Sequence, residues 1–161
     1  MRMEISPNLE DKADQWGDYD WNGSLPSAQY VKKVGGIVFG TPWSPPVEYK
    51  TNGTAQGGNA EDQGYQKGKL SEDCYEKFFP WLNSYLAWMK KNGVDVDAVS
   101  IQNEPDWWVS YSGCLYDPQD LVNLVKNYAY LCRRTQRVHA GWLHRIYLLV
   151  HARPLGLCRN G

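Results

Sequence analysis

The stretch Val96-Asp97-Ala98-Val99-Ser100-Ile101-Gln102-Asn103-Glu104-Pro105-Asp106 decides the fold of this chain. It is an apolar run, rich in β-branched residues, that ends in Asn-Glu-Pro, and it predicts a short buried strand. Pro105 cannot donate a hydrogen bond to a sheet, so the strand must end before it. Glu104 is therefore expected at the carboxyl end of a strand, where strand–helix barrels place their catalytic side chains. A glutamate there can act as a general acid, and the alternative is an ordinary strand-end glutamate in water.

The residues on either side of this stretch predict alternating strands and helices. Further strands are expected over 2–5 and 37–40, and helices over 28–34, over 71–92 and from 118 onwards. This order of elements indicates a parallel sheet with crossover helices. The chain has 161 residues, enough for one ordinary domain but far fewer than the roughly 250 residues of a complete eight-fold strand–helix barrel.

The clearest helix is predicted to begin after an N-cap at Ser71 or Asp73 and to end at Asn92-Gly93, because apolar residues recur there at helical spacing. Its buried face is expected to comprise Tyr75, Phe78, Phe79, Leu82, Tyr85, Leu86 and Met89. The other two helices are expected to begin at N-cap residues, Ser27 for the first and Asp117 for the second. The second also has Pro118 at its first helical position, which favours a helix start.

Aromatic residues make up 14% of the chain, and most are Trp or Tyr rather than Phe. They could form an aromatic core or line a carbohydrate cleft, because an amphipathic ring offers a flat apolar face and a polar edge. Trp43 follows the second predicted strand in a proline-stiffened turn. Trp107, Trp108 and Tyr111 follow the Asn-Glu-Pro strand in a loop, and a further long aromatic loop is predicted over 9–22.

Charge and cysteine content argue against several classes of partner. The formal net charge of −1 gives no reason to expect nucleic acid or an anionic membrane as a partner. No apolar run is long enough to cross a bilayer, and residues 1–6 lack the extended apolar segment of a signal peptide. The four cysteines match no zinc or thioredoxin-like spacing. We therefore expect neither a metal nor a cofactor.

The composition of the tail differs from that of the rest. No acidic residue follows Asp120, and every arginine except Arg2 lies between Arg133 and Arg159, together with all three histidines. We expect a structured domain over 1–130 and an aberrant basic tail over 131–161, frame-shifted or disordered. A genuine domain boundary or an anion-binding tail is the alternative.

Four separated segments, in the same order along the chain, resemble glycoside hydrolase family 30. That family contains glucuronoxylanases, glucosylceramidases and β-1,6-glucanases. The matching segments are 2–8, 39–46, 50–53 and 99–106. The resemblance covers 1 to about 130 and implies a retaining hydrolase on an eight-fold (β/α)8 TIM barrel with an attached β-domain. The chain would then supply only the N-terminal half of the barrel, about strands 2–4 with their helices, and its fold class would be α/β.

The resemblance also implies roles for four residues. Glu104 matches the acid/base at the end of the fourth barrel strand, and Asn103 matches the residue that hydrogen-bonds the 2-hydroxyl of the sugar. Trp43 matches an aromatic residue in the subsite that holds the reacting sugar. Arg2 matches an arginine near the nucleophile, where a cation favours an ionised carboxylate.

The resemblance assigns no definite role to the loop aromatics Trp107, Trp108 and Tyr111, which could contact further sugars. A retaining enzyme needs a second carboxylate about 5 Å from the acid/base as its nucleophile. In the family this is a glutamate on a later strand, and nothing after Asp120 can fill that role. The chain taken alone is therefore expected to be inactive or nearly so.

The expected function is that of a fragment of a retaining glycosidase acting on a β-linked polysaccharide, most closely xylan. Two alternatives remain open. One is another activity of the same family, and the other is a non-catalytic carbohydrate-binding remnant that uses Trp43, Trp107 and Trp108. The expected partner is a polysaccharide or glycoside, and the resemblance implies a secreted parent protein.

Overall fold

The computed structural model describes residues 1–7, 21–58 and 68–134. Most of the predicted loop over 9–22 lies outside these residues. So does most of the predicted tail, including His139, His144, His151 and Cys158. The prediction of an aberrant tail beyond residue 130 therefore stays a prediction.

Three parallel strands form one sheet in the order β1–β2–β3. Strand β1 is Arg2–Ile5, β2 is Phe39–Pro42 and β3 is Ala98–Val99. Arg2 pairs with Phe39, and Phe39 pairs in turn with Ala98. The parallel sheet predicted from the order of the elements is confirmed.

The predicted bounds of β2 are wrong by two residues. The prediction begins at Ile37, but that side chain is exposed, and its carbonyl oxygen accepts a hydrogen bond from the N-terminal ammonium of Met1 at 2.5 Å. Pairing with β1 instead continues to the far end of β2, where Ile5 is opposite Pro42. The strand is therefore set by the register of its neighbour rather than by its own run of apolar residues.

Four helices cover the described part of the sheet and its connections. They are α1 (Trp21–Lys33), α2 (Tyr75–Lys91), α3 (Pro118–Tyr128) and the single turn α4 (Leu131–Arg134). Short 3₁₀ turns at Val47–Tyr49 and Glu72–Cys74 precede α2. None of these helices is long and apolar enough to span a membrane.

Helix α1 begins earlier than predicted. Its first residue is Trp21, and Pro26 lies inside the helix, so Ser27 is not its N-cap. Trp21 is buried, its indole N–H donates to the Ser6 carbonyl at 3.1 Å, and its ring meets Tyr85 edge-on at 5.3 Å. This anchoring holds the first described turn of the helix against the core, although Pro26 cannot donate a backbone hydrogen bond.

Helix α2 packs the predicted apolar face against the sheet. Phe78, Phe79, Tyr85 and Met89 are fully buried. Gly40 allows this close approach, because a Cβ atom there would lie 2.8 Å from the side chain of Ile5 and 3.3 Å from that of Tyr85. Since side chains alternate along a strand, Arg2 lies on the opposite face of the sheet from Met3 and Ile5.

Helix α3 begins at Pro118 with Asp117 at its N-cap, as predicted. Asp117 occupies the N-cap position without a side-chain bond to the helix, and its carboxylate accepts from the ammonium of Lys69. Its inner face packs on the core: Leu124 is buried, and Leu121, Val125 and Tyr128 are partly buried against it. The turn α4 then lies against α2, where the side-chain amide of Asn83 donates to the Leu131 carbonyl at 3.2 Å.

Candidate active site

The chain after β3 continues alongside the end of β2 with one extra residue. Ser100 N–H donates to the Gly40 carbonyl at 2.9 Å, and Asn103 N–H donates to the Pro42 carbonyl at 2.8 Å. Between these two bonds the ladder advances two residues along β2 and three along the other strand. An extra residue of this kind is a β-bulge, and bulges redirect the side chains that follow them. Here the redirected residues are Gln102 and Asn103.

Arg2, Asn103 and Glu104 form one hydrogen-bonded series at this edge of the sheet. The guanidinium of Arg2 donates to Oδ1 of Asn103, and Nδ2 of Asn103 donates to Oε2 of Glu104 at 3.3 Å. Because a guanidinium has only donors, it fixes which end of the amide is oxygen. The amide nitrogen must then face the carboxylate. Arg2, Asn103 and Glu104 are thus in contact.

Glu104 has an unusual backbone conformation, with φ of 44°. A residue with a side chain loses about 1–2 kcal/mol in this left-handed region. The proline that follows Glu104 also restricts its backbone, because a residue before proline favours extended conformations. The Trp107 N–H donates to the Glu104 carbonyl at 3.1 Å and closes the turn, and the Glu104 side chain is exposed. Strain of this kind is found mostly at functional sites, where the surrounding structure holds it in place.

Trp43 lies at the end of the neighbouring strand. Its carbonyl oxygen accepts a hydrogen bond from Nε2 of Gln102 at 2.7 Å, and its ring is 5.7 Å from the ring of Tyr111. The two planes are inclined by 47°. Trp43 is partly buried, whereas Tyr111 is exposed. The pair forms an aromatic surface next to the strand end that carries Asn103 and Glu104.

The two loop tryptophans have different environments. Trp107 is 64% exposed. Trp108 is partly buried and lines a shallow cavity of about 180 Å³ together with Pro105, Tyr116 and Pro118. Trp107 is therefore free to contact a ligand with most of its ring, and Trp108 with only part of it.

A buried lysine, Lys50, supports the loop that carries Tyr111. Its ammonium donates to the carbonyl oxygens of Ala55 at 3.0 Å, Gln56 at 2.7 Å and Gly113 at 2.5 Å. Burial lowers the pKa of Lys50 to about 8. The Tyr111 carbonyl accepts a hydrogen bond from the Gly57 N–H at 3.1 Å, which joins the same two loops.

Sequence reasoning missed the roles of Lys50 and Gln102. A lysine in a Gly- and Asn-rich loop is usually exposed, so nothing local predicts that Lys50 is buried. Gln102 offered a weak signal, because it is polar and lies between a buried strand residue and Asn103. Among the described residues, no group of three or more His, Cys, Asp or Glu side chains could hold a metal ion.

Comparisons with known proteins find relatives of this chain in sequence and in fold. Over 110 residues the chain is 28% identical to glucuronoxylanase XynC of Bacillus subtilis, and the match covers 68% of this chain and 24% of that protein. The solved family 30 subfamily 8 xylanase Xyn30A of Clostridium acetobutylicum is 35% identical, with a TM-score of 0.68 over 83% of this chain. Over part of its length, the chain is related to glycoside hydrolase family 30.

A second solved family 30 endoxylanase, from Clostridium papyrosolvens, is 30% identical with a TM-score of 0.57 over 80% of this chain. The chain spans about a quarter of the curated relative and 32% of each of these two structures. No family model matches the chain. The predicted family resemblance is confirmed, and so is the fold class, an α/β fragment of a TIM barrel.

Proposed function

We propose that this chain carries the acid/base side of the active site of a retaining, xylan-directed glycoside hydrolase. The observation that supports this most is the series Arg2–Asn103–Glu104 beside the Trp43–Tyr111 pair. The relationship to proteins named glucuronoxylanase and endoxylanase supports the family and the substrate class.

Glu104 is proposed as the acid/base. In the first step its carboxylic acid protonates the departing glycosidic oxygen, and in the second its carboxylate takes a proton from the attacking water. Its exposed side chain, at the end of a short parallel strand, is open to a substrate approaching from solvent. Asn103 is proposed to bind the 2-hydroxyl of the reacting sugar, since its amide already lies beside the carboxylate.

The nucleophile is proposed to come from outside these 161 residues. A retaining glycosidase needs its two carboxyl groups about 5 Å apart, and no acidic residue follows Asp120. Arg2 supplies a guanidinium at the same edge of the sheet, where a cation favours the ionised form of a neighbouring carboxylate. The isolated chain is therefore expected to give no turnover.

The aromatic side chains are proposed to hold the polysaccharide. Trp43 and Tyr111 present adjoining rings, and the flat apolar face of a sugar stacks on such rings. Trp107 is proposed to contact a further sugar, and Trp108 to contribute less because it is partly buried. Since xylan is an extracellular polymer, we infer that the parent protein is secreted.

The test combines turnover and binding. The purified chain is incubated with glucuronoxylan, with the Glu104→Gln variant as its control, and reducing ends are measured. Xylohexaose binding is measured by calorimetry for the wild type, for Trp43→Ala and for the control Tyr30→Ala, which removes an exposed ring from α1. We expect equal, background turnover and a loss of binding only in Trp43→Ala. Turnover above the Glu104→Gln control would contradict an external nucleophile, and absence of binding would contradict the proposed substrate.

A second candidate function is carbohydrate binding without catalysis, favoured by the exposed ring of Trp107 and by the Trp43–Tyr111 pair. Azide can replace a missing nucleophile and distinguishes the two functions. With phenyl β-xylobioside, whose phenolate is a poor leaving group, azide attacks the anomeric carbon while the bond to the phenolic oxygen breaks and that oxygen takes the proton of Glu104. Azide-dependent release of phenol that disappears in Glu104→Gln supports the acid/base role. Binding without such release supports the non-catalytic function.

A further inference from the structure

The side-chain amide of Gln102 joins the two strand ends that form the candidate site. Its Nε2 donates to the Trp43 carbonyl at 2.7 Å and to the Asn103 carbonyl at 3.0 Å. The backbone ladder between β2 and the chain after β3 reaches the bond from Asn103 N–H to Pro42. The next carbonyl after Pro42, that of Trp43, accepts its hydrogen bond from the side chain of Gln102 and not from a backbone N–H.

We propose that Gln102 is a positioning residue that sets the separation between Trp43 and the Asn103–Glu104 pair. This inference rests on the proposed function, because it concerns the same site. Gln102 does not act on the sugar itself. Its two hydrogen bonds fix the backbone of Trp43 on one side and the backbone that leads into Glu104 on the other.

The buried side-chain oxygen of Gln102 supports a role that depends on the two hydrogen bonds from Nε2. Its Oε1 is buried and has no hydrogen-bond partner within the described part of the chain. A buried polar atom left unpaired is unfavourable, and a hydrocarbon side chain of the same length would avoid that penalty. The amide is therefore explained by its Nε2 donors, which satisfy two carbonyl oxygens at the bulge.

The contacts of Asn103 explain how this positioning reaches Glu104. The backbone N–H of Asn103 is bound to Pro42, its carbonyl to Gln102, and its side chain to Arg2 and Glu104. Each polar group of Asn103 is thus held by a different neighbour. Loss of the Gln102 bond releases the carbonyl that precedes the strained backbone of Glu104, while the side chains of Trp43 and Asn103 are still present.

The first test compares Gln102→Met with Gln29→Met in the ¹⁵N-labelled chain. Gln29 is a matched control, because its Nε2 also donates to a backbone carbonyl, that of Asn92 at 2.8 Å, but on the helical side of the fold. We expect only Gln102→Met to shift the Trp43 indole and Asn103 amide resonances. We also expect exchange of the Asn103 amide with solvent to be about tenfold faster, as for the loss of one to two ordinary hydrogen bonds. Unchanged Trp43 and Asn103 signals in Gln102→Met, or equal shifts in Gln29→Met, would overturn the inference.

A second variant, Gln102→Glu, keeps the shape of the side chain and makes its donor depend on pH. An ionised carboxylate has no hydrogen to donate, whereas the protonated acid has one. We expect the Trp43 and Asn103 signals to resemble those of Gln102→Met at neutral pH and to move back towards the wild-type positions on acidification. A purely structural role would not produce this rescue, and signals that do not respond to pH would contradict the positioning role.

Binding of xylotriose separates this inference from the proposed function. If both are right, Gln102→Met weakens xylotriose binding about tenfold, by the same loss of one to two hydrogen bonds, and Gln29→Met leaves it unchanged. If the wild-type chain binds no xylotriose, the proposed substrate is wrong, and the resonances of the ligand-free protein still decide the role of Gln102. Tight binding by Gln102→Met together with shifted resonances would overturn the link between positioning and the sugar.

Discussion

The helical face of the small sheet and the carboxyl ends of its strands are stabilised in different ways. On the helical face, Met3 and Ile5 pack against α2, whose inward side chains are fully buried. At the carboxyl ends of the strands, which form the mouth of the candidate site, Glu104 is exposed and its backbone is strained. The residues there are held by hydrogen bonds rather than by apolar packing. The comparison indicates that burial on the helical face stabilises the fold. The strained backbone at the mouth, where the proposed chemistry occurs, lowers the free energy of unfolding.

The largest expected effect lies on the helical face. Phe79→Ala removes a fully buried ring and is expected to destabilise the fold by about 3–5 kcal/mol, because the cavity it leaves cannot close. Urea unfolding measures this loss. The control Tyr30→Ala truncates an exposed ring and should change the free energy of unfolding by less than about 0.5 kcal/mol. Similar losses in both variants would show that burial on this face does not dominate.

A smaller loss is expected where the mouth is supported by Lys50. Lys50→Met leaves three carbonyl oxygens without their ammonium donor, and we expect a cost of about 3 kcal/mol. Lys69→Met is the matched control, because Lys69 pairs with Asp117 and Asp120 at the surface and such pairs contribute less than about 1 kcal/mol. If the two variants unfold at the same urea concentration, Lys50 does not stabilise the fold more than the surface residue Lys69 does.

The same lysine predicts a dependence of stability on pH. Burial lowers the pKa of Lys50 from its ordinary 10.5 to about 8, so between these values the unfolded chain holds more protons than the folded chain. The free energy of unfolding should therefore rise with pH, by about 1 kcal/mol between pH 7.5 and 9. The measured quantity is the free energy of unfolding of the wild type minus that of Lys50→Met at each pH. If this difference falls as the pH rises over this range, the lowered pKa of Lys50 is contradicted.

The smallest expected effect tests the strain at the mouth. Glu104→Gly relieves the left-handed backbone, whereas Glu104→Ala keeps it, and both remove the carboxylate. We expect the glycine variant to be more stable than the alanine variant by about 0.5 kcal/mol, after the entropy that glycine loses on folding. Thermal unfolding of the two variants side by side gives the sign. A more stable alanine variant would mean that Glu104 is not strained.

The sequence predicted the helical face better than the mouth, for a physical reason. The inward residues of α2 recur at a fixed spacing, so a local pattern reveals them. The helical turns before Ser27 were not predicted, because Pro26 is typical of a helix start, whereas the buried ring of Trp21 holds this segment against the core. Asn103 and Glu104 were predicted because they stand together in one short motif at a strand end.

The contacts that support the mouth could not be predicted in this way. Gln102 reaches Trp43 across 59 residues of sequence, and Lys50 reaches Gly113 across 63. Each is a single bond from a side chain to a distant carbonyl, and it leaves no periodic pattern. The register that moves β2 to Phe39–Pro42 is likewise set by the pairing with β1.

The most direct measurement follows the amide and indole resonances of the ¹⁵N-labelled chain during titration with xylotriose. We predict that the side-chain amide of Asn103 and the indole N–H of Trp43 shift together, with one dissociation constant, while the side-chain amide of Gln29 stays unchanged. The same titration of Trp43→Ala should leave Asn103 unmoved. Shifts confined to other parts of the chain, or an Asn103 response that is unaffected in Trp43→Ala, would contradict a sugar site at this strand end.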